Sequence, residues 1–99
     1  MKSLLGIPLV ETPTGFEGER LYLKVELQRY VARYHGGDQQ PEGEAGDRWI
    51  GFVYFRLSGR DGSSPWWSPV HEARCYGIEA AANSIERFVA DARDALGCL

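Results

Sequence analysis

Three kinds of hydrophobic run divide this chain. The first is Trp49 to Leu57, WIGFVYFRL, the most apolar continuous stretch. Its residues are mostly β-branched or aromatic, and its length suits a buried strand rather than a helix. Asp47-Arg48 before it and Ser58-Gly59-Arg60-Asp61-Gly62 after it read as chain reversals. Trp49, Gly51, Val53, Phe55 and Leu57 share one face of such a strand, and Ile50, Phe52, Tyr54 and Arg56 share the other. Apolar residues on both faces predict an inner strand, covered on one side and at least partly on the other.

The second run has a period of two. Leu21, Leu23, Val25 and Leu27 alternate with Tyr22, Lys24, Glu26 and Gln28. Parity then slips, and Tyr30, Ala32 and Tyr34 alternate with Arg29 and Arg33. A β-bulge near Gln28-Arg29 restores one apolar face throughout 21–34. A helix competes for this segment, since Leu23, Leu27, Tyr30, Val31 and Tyr34 also fit helical spacing and Gly36-Gly37 ends it. That helix leaves Leu21 and Val25 on its wet side, so the strand is favoured. Residues 69–76, PVHEARCY, predict a further strand, with Val70, Glu72, Arg74 and Tyr76 against His71, Ala73 and Cys75.

The third run is helical. Ile78, Ala81, Ala82, Ile85, Phe88, Val89, Ala92, Ala95 and Leu96 recur at three and four. Glu79 suits the helix N-terminus and Gly97 the C′ position, so the helix spans 78–96. Its alanine-rich stripe allows close approach to a sheet. Residues 1–15 read as an arm or short edge strand, with Pro8 tolerated at an edge. The expected architecture is one α+β domain over 1–99, in two layers. A three- to four-stranded antiparallel sheet carries one C-terminal helix on one face.

Composition narrows the function. The 99 residues are 43% hydrophobic and 25% charged, as in an ordinary globular domain, with a net charge of −3. That balance argues against a basic footprint for duplex DNA or an anionic membrane. No stretch approaches a membrane span, and the apolar Leu4–Val10 run is too short for a signal peptide, so a cytoplasmic location is expected. Cys75 and Cys98 flank a helix roughly 28 Å long, whereas disulfide-bonded Cα atoms lie within about 7 Å, so two free thiols are expected.

Candidate chemistry is sparse. His71 and Cys75, four apart on a strand, are separated by about 13 Å, too far to share a metal. No Cys-x-x-Cys pair, nucleophile elbow, P-loop or dinucleotide fingerprint is present. No two acids are marked out as a dyad, and His71 with Glu72 or Asp61 is the only acid–base pairing to consider. No catalytic residue, cofactor or metal is assigned.

What remains points to binding. One helix covers one sheet face, while the other carries some of Tyr22, Ile50, Phe52, Tyr54 and Tyr76 amid Lys24, Glu26 and Arg56. So much aromatic surface is seldom bare in a monomer; the N-terminal arm, a second copy or a partner covers it. Trp66 and Trp67, held between Pro65 and Pro69 in the 58–69 connection, point opposite ways, one into the core and one toward an interface. Residues 36–48, with four glycines and four acids, form a flexible loop whose Asp38, Glu42 and Glu44 suit a basic partner. The expected partner-binding set is therefore Tyr22, Phe52, Tyr54, Trp66, Trp67, Asp38, Glu42 and Glu44. The expected function is non-catalytic binding of another protein, with a homodimer as a further possibility. Small phage- and plasmid-borne inhibitors of host defence, such as anti-CRISPR proteins, belong to this class. Two other classes stay open. One is single-stranded nucleic-acid binding, with Tyr22, Phe52 and Tyr54 stacking bases and Lys24, Arg29, Arg33 and Arg56 on the backbone. The other is a small enzyme.

Overall fold

The structure is a computed structural model and describes residues 1–30, 48–58 and 65–97. Among the described residues, seven strands and one helix follow in order: β1 (Ser3–Leu4), β2 (Ile7–Pro8), β3 (Val10–Thr12), β4 (Gly15–Arg20), β5 (Leu23–Tyr30), β6 (Arg48–Leu57), β7 (Trp66–Tyr76) and α1 (Ile78–Leu96). Strands β3 to β7 form one antiparallel sheet in sequence order, and β1 pairs with β2 in a small separate hairpin. The fold is α+β with a C-terminal helix, as the patterns predict. The sheet has five strands rather than three or four.

The central run behaves as its composition demands. β6 lies between β5 and β7, and Trp49, Gly51 and Val53 are buried on the helix side. Against them pack Val25 and Leu27 from β5 and Ala81, Ala82, Ile85 and Val89 from α1. Each fully buried aliphatic side chain contributes about 1.5–3 kcal/mol relative to exposure. The helix settles most closely over Gly51, where a β-carbon would lie 2.8 Å from the Ala81 carbonyl oxygen. Glycine here is a requirement of layer packing. α1 ends as expected: Gly97 takes a left-handed φ of 74°, and its N–H donates to the Arg93 carbonyl at 2.8 Å.

The N-terminal residues do more than form an arm. The β1–β2 hairpin buries Leu4 and Ile7 in the same cluster as α1, so it covers the helix side and leaves the opposite face alone. It rests on β4, a strand the patterns miss. In β4 the inward position opposite Val25 is Gly18, whose β-carbon would stand 2.6 Å from the Pro8 carbonyl oxygen. Backbone replaces a side chain there, so the alternation cannot be read.

Three further expectations are corrected. The alternation of 21–34 begins at Leu23; Leu21 sits in the β4–β5 turn with φ 52° and is 77% exposed. No bulge interrupts β5 at Gln28-Arg29, because its pairing with β6 runs unbroken from Leu23–Phe55 to Tyr30–Arg48. The parity slip is real and puts Tyr30 on the open face. The irregularity lies instead between β6 and β7 at Val53/Tyr54, and β7 begins at Trp66, inside the expected connection. Residues 31–34 and the 36–47 part of the acidic loop lie outside the described residues. Among those described, no helix is long and apolar enough to cross a membrane.

Candidate binding face

Alternation and register place Lys24, Glu26 and Gln28 of β5, Arg48, Ile50, Phe52, Tyr54 and Arg56 of β6, and Trp67, Glu72, Arg74 and Tyr76 of β7 on the face opposite the helix. Tyr30 joins them at the end of β5. Glu17 and Glu19 of β4 extend this face, since they pair with Glu26 and Lys24. No described element covers it.

Rings and cations interleave across the face. Phe52 and Tyr54 stack with centroids 6.1 Å apart. Lys24 Nζ lies 5.5 Å from the Tyr54 centroid, and the Arg56 guanidinium 5.9 Å from that of Trp67. At the other end, Arg48 stands over Tyr76 at 5.4 Å and Arg74 over Tyr30 at 5.5 Å. Those four residues and Cys75 line a hollow of about 110 Å³. The register explains three of these pairs, in which an aromatic stands directly opposite a cation on the neighbouring strand, while Arg74 of β7 reaches Tyr30 of β5 across β6.

Glu26 organises the middle. Its Oε2 accepts from Gln28 Nε2 at 2.7 Å and from the Tyr54 hydroxyl at 3.2 Å, and its Oε1 lies 3.3 Å from Lys24 Nζ. Partial burial, then the Glu26 charge and hydrogen bond, push the Tyr54 phenol up to about 12, so it stays a donor at neutral pH. Four cations (Lys24, Arg48, Arg56, Arg74) share the face with four acids (Glu17, Glu19, Glu26, Glu72). It is a charge mosaic with no net sign.

The expected site residues separate. Phe52, Tyr54 and Trp67 come together on this face. Trp66 does not: it pairs with Leu57 on the helix-side parity and is 48% exposed. The two indoles do point opposite ways, from a strand rather than a loop, but neither enters the core cluster, contrary to the expectation for one of them. Tyr22 is also elsewhere. It belongs to the β4–β5 turn, where its carbonyl accepts from Arg56 N–H at 2.9 Å. It lines a hollow of about 290 Å³ with Leu5, Ile7, Leu21 and Arg93 at the helix end. Asp38, Glu42 and Glu44 lie outside the described residues. Sequence reasoning missed Tyr30, Arg48 and Arg74. The signal was the aromatic–cation repeat at alternate positions, which only register assembles.

His71 faces the helix. It stacks on Phe88 at 4.7 Å and lies 3.5 Å from Ser84 Oγ, and partial burial lowers its pKa. Glu72, the next residue, points to the opposite face, so the two are not brought together; Asp61 lies outside the described residues. Among the described residues no group of three or more His, Cys, Asp or Glu is placed to hold a metal ion, and Cys75 is a half-buried free thiol. Comparison with protein-family models, with curated proteins and with solved structures finds no match.

Proposed function

We propose that this is a non-catalytic protein that acts by binding another protein through the open sheet face. The observation that carries this reading is the occupied ring faces. Lys24, Arg56, Arg48 and Arg74 each stand over the ring of Tyr54, Trp67, Tyr76 and Tyr30. A surface that stacks bases must offer ring faces and a single sign of charge to phosphate. This one offers ring edges, hydroxyls and guanidinium groups in a balanced mosaic. Tyr, Trp and Arg are the residues enriched at protein interface centres, and a balanced mosaic selects a partner by complementary charge. An inhibitor or adaptor that blocks a host enzyme, as small phage- and plasmid-borne proteins do, needs no more than such a face.

The test has two arms. Fluorescence anisotropy with labelled single-stranded RNA and DNA at low salt is expected to show no saturable binding. Affinity capture from bacterial lysate is expected to retain a protein on the parent chain and lose it with Arg56→Glu. Salt-sensitive oligonucleotide binding that Arg56→Glu abolishes refutes the reading.

A further inference from the structure

The sheet has two edges of unlike character. β3 is three residues long; β7 is eleven, and no described strand pairs with its outer side. Natural edge strands are kept short, covered, or interrupted by proline, lysine or bulges. β7 carries Pro69 and the irregularity opposite Val53/Tyr54 in its first half. From His71 to Tyr76 it is regular, without proline or lysine. That half is an open template for another strand.

We infer that the outer edge of β7 pairs antiparallel with β7 of a second copy, about a two-fold axis at Ala73. The charges select this register. Glu72 then faces Arg74 of the second copy, twice over, and His71 faces Cys75. Moving the axis to Glu72 sets Glu72 against itself. Glu72 and Arg74 are 54% and 68% exposed and their contact within the chain is 4.0 Å long, so Glu72 can turn outward at no loss, while Arg74 gives up its place over the Tyr30 ring to meet the second copy.

The helix layer fits the same axis. α1 lies over β6 and β7 and reaches β5. With strands about 4.8 Å apart, two such helices related through one β7–β7 ladder stand about 10–14 Å apart, at or beyond the upper end of ordinary helix packing, so neither obstructs the pairing. Contacts of Ser84 and Phe88 with His71 identify the β7 flank of α1. Near Ala73 that flank carries Ser84 and, one turn earlier, Ala80, both small enough for the approach. A ten-stranded sheet results, with both helices on one side and both open faces joined on the other. Glu72 and Arg74 also belong to the open face, but the test uses the purified chain alone, so its outcome does not depend on what that face binds.

The experiment is a charge-swap cycle read by sedimentation equilibrium across a concentration series. The parent is expected to dimerise. Glu72→Arg and Arg74→Glu each turn two attractive cross-strand pairs into repulsive ones and are expected to weaken the dimer roughly ten- to thirty-fold. The double variant is expected to restore it. Hydrogen exchange on the parent, independent of any variant's folding, is expected to show protection of the 71–76 amides that rises with concentration. A parent that stays monomeric, a dimer indifferent to the single swaps, or protection that ignores concentration overturns the inference.

Discussion

Gly51→Ala tests how the two layers meet. An ideal β-carbon at Gly51 lies 2.8 Å from the Ala81 carbonyl oxygen, 3.0 Å from Ser84 Oγ and 3.1 Å from Ile85 Cγ1. The first two atoms already share a hydrogen bond, Ser84 Oγ donating to the Ala81 carbonyl at 2.7 Å. Neither is the loose end of a long side chain, so the helix itself must lift by several tenths of an ångström. A gap of about 0.5–1 Å forfeits a quarter to a half of each dispersion contact along the seam. Ala81, Ala82, Ile85 and Val89 all lie on that seam. Overpacking of this kind costs about 1–3 kcal/mol, offset by about 0.5–1 kcal/mol because alanine is less flexible than glycine in the unfolded chain. The expected net loss is about 1–2 kcal/mol. In a domain of this size that is a fall in Tm of roughly 4–16 °C. Urea unfolding followed by tryptophan fluorescence measures it, with an unchanged slope showing that the denatured state is unaltered. A Gly51→Ala protein as stable as the parent refutes the packing described for α1 on β6.

Ile7→Ala tests the N-terminal hairpin. Ile7 is 2% exposed, so its truncation is expected to cost about 2–4 kcal/mol by urea midpoint, while an arm that merely brushes the surface predicts almost no change. Tyr54 predicts alkaline behaviour. Its phenol proton is held to about 12 in the fold against about 10 unfolded. Its contribution is therefore fully present below about pH 10 and lost as pH rises through about 12. A Tyr54→Phe difference titration by tyrosinate absorbance is expected to remove one late-ionising group; finding only groups near pH 10 removed contradicts the Glu26 hydrogen bond.

The long periodic elements were legible and the short ones were not. α1 carries five turns of apolar spacing and a C-terminal glycine, and its boundaries follow from these. β6 is apolar on both faces as an inner strand, paired with β5 on one side and β7 on the other. β1, β2 and β3 are two or three residues each, below any period. β4 hides because Gly18 takes the place of an inward side chain. Leu21 misled for a related reason: a leucine at φ 52° occupies a turn position where glycine or asparagine is the usual signal. At the candidate face, Phe52, Tyr54 and their cationic neighbours were visible in the alternation of single strands. The pairing of Tyr30 with Arg74 and of Tyr76 with Arg48 depends on register between distant strands, which no local pattern specifies.

On the function proposed above, the rings of the open face bind a partner and contribute little to holding the fold. Trp67→Ala tests it most directly, with thermal stability and affinity for the captured protein measured on the same preparation at low concentration. The Arg56 guanidinium stands over the indole at 5.9 Å on the outer face, and the indole lies apart from the cluster under α1. The expected result is a stability loss of about 1 kcal/mol or less, with a loss of binding of about 2 kcal/mol or more, roughly thirty-fold in Kd. A variant that loses about 3–5 kcal/mol of stability, as truncation of a core tryptophan does, or that binds as tightly as the parent, contradicts it.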